Sequence, residues 1–88
     1  MNTKIEMIDV ARLRWACRRG MLELDVLLGN FLNEAYSALP LAKQQDFVAL
    51  LAYSDPELLD ALMGRAVLAD ARMATMSEMI RQHALSRI

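Results

Sequence analysis

The sequence predicts an all-α protein, a single domain over residues 1–88 folded as a compact five-helix bundle of short helices. Three observations carry that expectation. Ala, Leu, Met, Arg, Glu and Gln dominate, whereas Ile, Val and Thr are sparse and never alternate over the length of a strand. With 56% hydrophobic residues in 88, the chain has enough apolar surface for one modest core and too little length for two lobes around a large cleft. Gly20, Pro40, Pro56 and Gly64 fall between apolar runs of helical period, so they read as helix boundaries.

Asp9 is the expected N-cap of a first helix over 10–19, which Gly20 stops because glycine reaches positive φ without steric cost. At about 100° per residue, Val10, Leu13 and Cys17 share one face; Arg12 and Arg19 lie opposite, with Trp15 beside them. The largest side chain in the protein therefore points toward a basic flank instead of the core. A second helix is expected from Gly20 to about residue 35. Leu24, Leu27, Leu28, Phe31 and Ala35 form its core stripe, and Leu22, Val26 and Gly29 form a mildly apolar strip beside Glu23. Residues 36–39 connect it to a third helix over 41–52, with Pro40 suited to the first turn and Phe47, Leu50 and Leu51 inward. Asp55 as cap and Pro56 at the first helical position open a fourth helix carrying Leu58, Leu59, Leu62 and Met63, which Gly64 ends. The last helix, 69–85, places Met73, Met76, Ile80 and His83 along one side, and its end is expected to fray. On this reading the second and third helices supply most of the core, and the two helices around Gly20 lie to one side of it.

The composition excludes several classes of function. A net charge of −1 gives no general attraction to phosphate polyanions, so any nucleic-acid binding would have to come from a local patch, and with carboxylates on the helix after Gly20 no nucleic-acid partner is expected. No apolar stretch approaches the roughly 20 residues needed to cross a bilayer, and residues 1–10, which include Glu6 and Asp9, lack a signal core, so neither membrane insertion nor export is expected. The lone Cys17 cannot form an internal disulfide and fits a reducing compartment, so the expected location is the cytoplasm. Catalysis needs a nucleophile or base with neighbours that hold and tune it. His83, the single histidine, lies on a methionine-rich helix face, and Cys17 lies on a core face where thiols are inert, so no catalytic residue is assigned. One His and one Cys fall short of a zinc site, and Gly20, Gly29 and Gly64 are too isolated for a phosphate loop, so neither metal nor cofactor is expected to bind directly. Met73, Met76 and Met79 follow helical spacing and read as core.

What remains is a surface. Arg12, Arg14, Arg18 and Arg19 cluster beside the off-core Trp15, followed by Gly20 and by Glu23 one turn on, a composition typical of binding hot spots. Arg19 and Glu23, four apart, are expected either to pair with each other or to engage a partner.

The run from Trp15 through Arg19, Gly20 and Glu23 to Asp25 resembles the signature of the SdhE/YgfY family, FAD assembly factors of succinate dehydrogenase, whose hallmark is Arg-Gly-x-x-Glu. Phe31, Tyr36, Phe47, Leu50, Leu51 and the segment Asp55-Pro56-Glu57-Leu58 follow in the family's order, and Ala61 stands where the family often has tryptophan. The resemblance implies a five-helix chaperone that is not an enzyme. Its partner would be the flavoprotein subunit of succinate dehydrogenase, and of fumarate reductase, and it would promote covalent FAD attachment on that client. The free factor is expected to be monomeric. It also implies that Arg19, Gly20 and Glu23 form the centre of the interface, with Trp15, Arg18, Met21 and Asp25 around them, and that Arg19→Ala and Glu23→Ala leave the fold intact. Members of the family are also described as antitoxins of a membrane-associated toxin, which leaves a regulatory role as the alternative. A helix-turn-helix DNA binder is disfavoured, because Glu23, Asp25 and Glu34 on the helix after Gly20 would repel phosphate.

Overall fold

A computed structural model describes residues 10–87, so Asp9, the expected first cap, lies outside the described residues. Five α-helices follow in order: α1 Val10–Ala16, α2 Leu22–Glu34, α3 Leu41–Leu50, α4 Asp55–Leu62 and α5 Ala71–Ser86. A 3-10 turn, Tyr36–Ala38, joins α2 to α3. The all-α expectation holds, with no strand among the described residues.

The core is one cluster to which every helix contributes. Leu13 and Cys17 come from α1 and the turn after it; Leu24, Leu28, Phe31 and Leu32 from α2; Phe47 and Leu50 from α3; Leu58 and Leu62 from α4; and Met73, Met76 and Ile80 from α5. Phe47 lies at its centre, stacked on Phe31 at 5.6 Å and tilted against Tyr36 at 5.4 Å, so the expected connector carries a buried aromatic residue. The expected dominance of the second and third helices is corrected by α5, which packs against α2, α3 and α4 together. At 16 residues it is the longest helix, and only a long helix can cross three shorter ones. It runs to Ser86, one residue past its expected end. Arg87 Nε and Nη2 donate to the two Glu34 carboxylate oxygens at 2.9 and 2.8 Å, tying the end of α5 to the end of α2 and holding the Glu34 carboxyl below its ordinary range.

The helix ends also differ from expectation. The cap of α4 is Ser54 rather than Asp55. Ser54 Oγ accepts the Glu57 N–H at 3.3 Å, and the Ser54 N–H donates to Glu57 Oε1 at 3.1 Å, forming a reciprocal capping box with Pro56 in the first turn. Pro40 is likewise the residue before α3. Asp70 caps α5 from outside the helix, accepting from the N–H groups of Arg72 and Met73. Gly64, at φ +78°, follows the end of α4 as expected. The first helix stops at Ala16, three residues short of its expected end, because the chain turns inward at Cys17 and Arg19.

Two outcomes follow from these arrangements. Ser54→Ala removes the cap and is expected to cost about 1 kcal/mol, read as a lower urea midpoint at unchanged slope. Burial pushes the Cys17 thiol up to about 11 from its ordinary 9.0. The native protein at pH 8 should therefore resist a thiol-reactive disulfide reagent and react only across the urea transition. Because the folded state holds the thiol protonated, its stabilising effect is complete below pH 9 and declines as pH rises through about 11. Rapid labelling of the native protein at pH 8 would contradict this burial.

Candidate functional site

Five residues, Cys17 to Met21, carry the chain from α1 to α2. The Cys17 and Arg18 N–H groups still bond back to Leu13 and Trp15, after which the helix unwinds. Cys17 enters the core and Arg18 turns outward, its guanidinium carbon 5.7 Å from the centre of the Trp15 ring. Trp15 itself is 72% exposed, so the expected off-core position is correct. Its cationic neighbour, however, is Arg18 and not Arg19. Ala11, Arg14, Trp15 and Arg18 line a shallow depression there, and Arg14 reaches across to Asn33 Oδ1 at 2.8 Å.

Arg19 points the other way. Its Nε donates to Asp55 Oδ1 at 2.7 Å, Nη1 to the Leu51 carbonyl at 2.9 Å, and Nη2 to the Tyr53 carbonyl at 2.7 Å. A longer bond of 3.4 Å joins Nη1 to the Ala16 carbonyl. The side chain is only 17% exposed. It therefore fills the corner where α3 ends and α4 begins, supplying donors to carbonyls that a helix C-terminus leaves without intrahelical partners. Its own N–H donates to Asp25 Oδ1 at 2.6 Å, so backbone and side chain of one residue are both fixed. The expected Arg19–Glu23 pair does not form, because Asp55 and two carbonyls offer Arg19 a better desolvated cradle than an exposed carboxylate does. The expectation of an exposed Arg19 on the α1 flank fails for the same reason.

Beyond Arg19 the chain returns to the surface. Gly20 has φ +86°, a conformation strained for other residues, and a Cβ built there would meet no atom within 4 Å. Within the chain, glycine is thus required by backbone conformation alone. Met21 is half-buried against the core and precedes α2 with no side-chain cap. Glu23 is exposed in the first turn and makes no side-chain hydrogen bond or ion pair among the described residues. Leu22 at 76% exposure and Val26 at 48% provide the apolar strip expected beside it. Of the seven site residues read from sequence, Trp15, Arg18, Gly20 and Glu23 are exposed, Met21 is half-buried, and Arg19 and Asp25 hold the crossing from within. Sequence reasoning missed Asp55 and the carbonyls of Leu51 and Tyr53. The Ser-x-x-Glu pattern at Ser54 and Glu57 was the available signal, since a serine cap releases the aspartate next to it.

A second concavity, about 710 Å³, lies between the end of α2 and α5, lined mainly by Phe31, Ala35, Leu39, Met79 and His83. His83 meets Phe31 edge-on at 5.4 Å, and its Nε2 lies 3.0 Å from Glu34 Oε1. The histidine is engaged in packing and pairing. Among the described residues no His, Cys, Asp and Glu side chains group as a metal site. No helix there is long and apolar enough to cross a membrane.

Comparison with known proteins gives a consistent set of relatives. The family model described as "Flavinator of succinate dehydrogenase" matches residues 11–84. The "FAD assembly factor SdhE" of Vibrio cholerae is 45% identical over 78 residues, covering 89% of this chain and 91% of that protein. The protein of the same name from Colwellia psychrerythraea is 46% identical over 79 residues, covering 90% and 87%. A solution structure of a UPF0350 protein superposes with a TM-score of 0.74 at 42% identity, covering 99% of this chain and 89% of that one.

The geometry of Arg19 makes a direct prediction. Arg19→Ala strands Asp55 and two carbonyls in a partly buried corner and is expected to cost about 2 kcal/mol, the scale of hydrogen bonds to a charged group. Arg19→Lys should recover only part, because an ammonium lacks the planar fork. An unchanged urea midpoint for Arg19→Ala would restore the expectation that this residue is free of the fold.

Proposed function

The chain belongs to the family of succinate dehydrogenase flavinators, and on that premise we propose that it is an assembly factor, not an enzyme, that binds the flavoprotein subunit of succinate dehydrogenase and promotes its covalent FAD attachment. The observation that carries this reading is a surface held in shape from beneath. Arg19 fixes the crossing between α1 and α2, and above it Trp15, Gly20, Leu22 and Glu23 stand exposed. An exposed aromatic ring, a neighbouring apolar strip and one uncommitted carboxylate make a small interface core with a polar component. With the Arg19 guanidinium engaged inside the chain, Glu23 is the free charge of the motif. The complementary group on the client is accordingly a cation or a cluster of hydrogen-bond donors.

The FAD belongs to the client in this proposal, and the factor supplies no reacting group. It acts by binding one arrangement of the client's domains better than others, raising the population of the competent arrangement by its differential affinity. The same surface serves the related flavoprotein subunit of fumarate reductase. The encounter takes place in the cytoplasm, where an unpaired Cys17 stays reduced, and the free factor is a monomer.

Three variants test this reading. Glu23→Ala, at an exposed position without internal partners, should keep the parent urea midpoint within about 0.5 kcal/mol while lowering covalent flavin on a co-expressed flavoprotein subunit, read by in-gel fluorescence after denaturation. Gly20→Ala should lose both stability and flavinylation. Gly20→Asn, which tolerates positive φ, should regain stability while flavinylation stays low, because the client approaches the backbone there. Full flavinylation by Glu23→Ala and Gly20→Asn together would remove this surface from the function.

A further inference from the structure

We propose that Asp55 is a positioning residue for client binding, acting through Arg19 on the surface around Gly20 and Glu23. The inference rests on the assembly-factor reading above and adds to it a residue on a different helix from the motif.

Donor arithmetic comes first. A guanidinium has five N–H donors, and the bonds to Asp55, Leu51, Tyr53 and Ala16 occupy four of them. A two-pronged contact with a client carboxylate needs two parallel donors, so Arg19 cannot make one without abandoning the corner between α3 and α4. The effect of Arg19 on a partner is therefore exerted through what it holds.

Among the described residues, Asp55 is the one charged group that accepts from the Arg19 side chain. It is free to serve because Ser54 and Glu57 cap α4 between themselves, and Arg19 is the one hydrogen-bonded partner of its side chain among the described residues. The other acceptors are backbone carbonyls, whose number and direction are set by the helices. The carboxylate thus determines how firmly the guanidinium is held. Gly20 follows Arg19 directly, and Glu23 lies one turn beyond. A change of direction at Arg19 is transmitted to both through a crossing of five residues. Interface groups tolerate displacements of only about 0.5 Å before contacts degrade, so a loosened cradle should weaken binding while the core survives.

The test measures affinity of the purified full-length factor for the purified flavoprotein subunit of succinate dehydrogenase, alongside urea unfolding of each variant. Asp55→Asn is expected to weaken binding at least tenfold, and Asp55→Glu to restore most of that loss by regaining the charge. Arg19→Lys combined with Asp55→Asn should bind no more weakly than the weaker single variant, since both disturb one device. Asp70→Ala provides the matched control: it removes the cap of α5 and destabilises the fold without touching the cradle or the cap beside it, so its affinity should equal the parent's. Parent-like binding by Asp55→Asn, or an equal loss in Asp70→Ala, would overturn the proposal. Should Asp55→Asn fail to fold, Arg19→Lys decides it: this variant keeps the charge but loses the planar fork, so weakened binding by the folded protein is expected and parent-like binding would overturn the proposal. Failure of the parent protein to bind the subunit would instead remove the assembly-factor reading on which the proposal stands.

Discussion

A single guanidinium ties two helix connections of this molecule together. Arg19 lies in the crossing between the first two helices, yet its side chain is spent on the turn between the third and fourth, more than 30 residues away in the chain. Two of its acceptors are carbonyls at the end of α3, where the helix dipole is negative and intrahelical donors run out. The third is a carboxylate in the first turn of α4. One side chain thereby satisfies polar groups of two helices and fixes the exit of a third. Without it α1 would be secured mainly by Leu13, Cys17 and the Arg14–Asn33 bond.

This arrangement separates support from contact within a short motif. Arg19 and Asp25 look inward and hold the crossing, whereas Gly20 and Glu23 look outward. The motif read as a centre of Arg19, Gly20 and Glu23 with four residues around it lies in two layers, and the layers are expected to respond differently to substitution. Loss of an inward residue costs stability and shape together. Substitution of the outward Glu23 leaves the fold alone, whereas a side chain at Gly20 also strains the backbone. The rest of the bundle serves as a base, with α5 laid across three helices and joined to α2 at its far end by the Glu34–Arg87 pair.

Such a base suits a factor that works by selecting a client conformation. A flexible surface would adapt to every arrangement of the client and so discriminate between none. A surface whose backbone is held by charge-assisted hydrogen bonds penalises the wrong arrangements instead. That gives a physical reason for a half-buried arginine at the edge of an exposed patch, in a chain small enough that every desolvated polar group weighs heavily on its stability.

The all-α class, the number of helices, the core faces of α3, α4 and α5, and the exposed Trp15 were legible in the sequence, because each depends on residues three or four apart in the same segment. The family followed from an ordered set of motifs along most of the chain. Local signals were less reliable at helix ends, where Ser54 and Asp55 compete for one cap and only the reciprocal pattern with Glu57 distinguishes them. What the tertiary structure alone decided is the direction of Arg19, the service of Asp55 to it and the place of α5 as the spine of the bundle. Helical periodicity assigns a side chain to a face of its own helix. It contains no term for a partner three helices away, and where the helix unwinds before Arg19, that partner determines which way the residue turns.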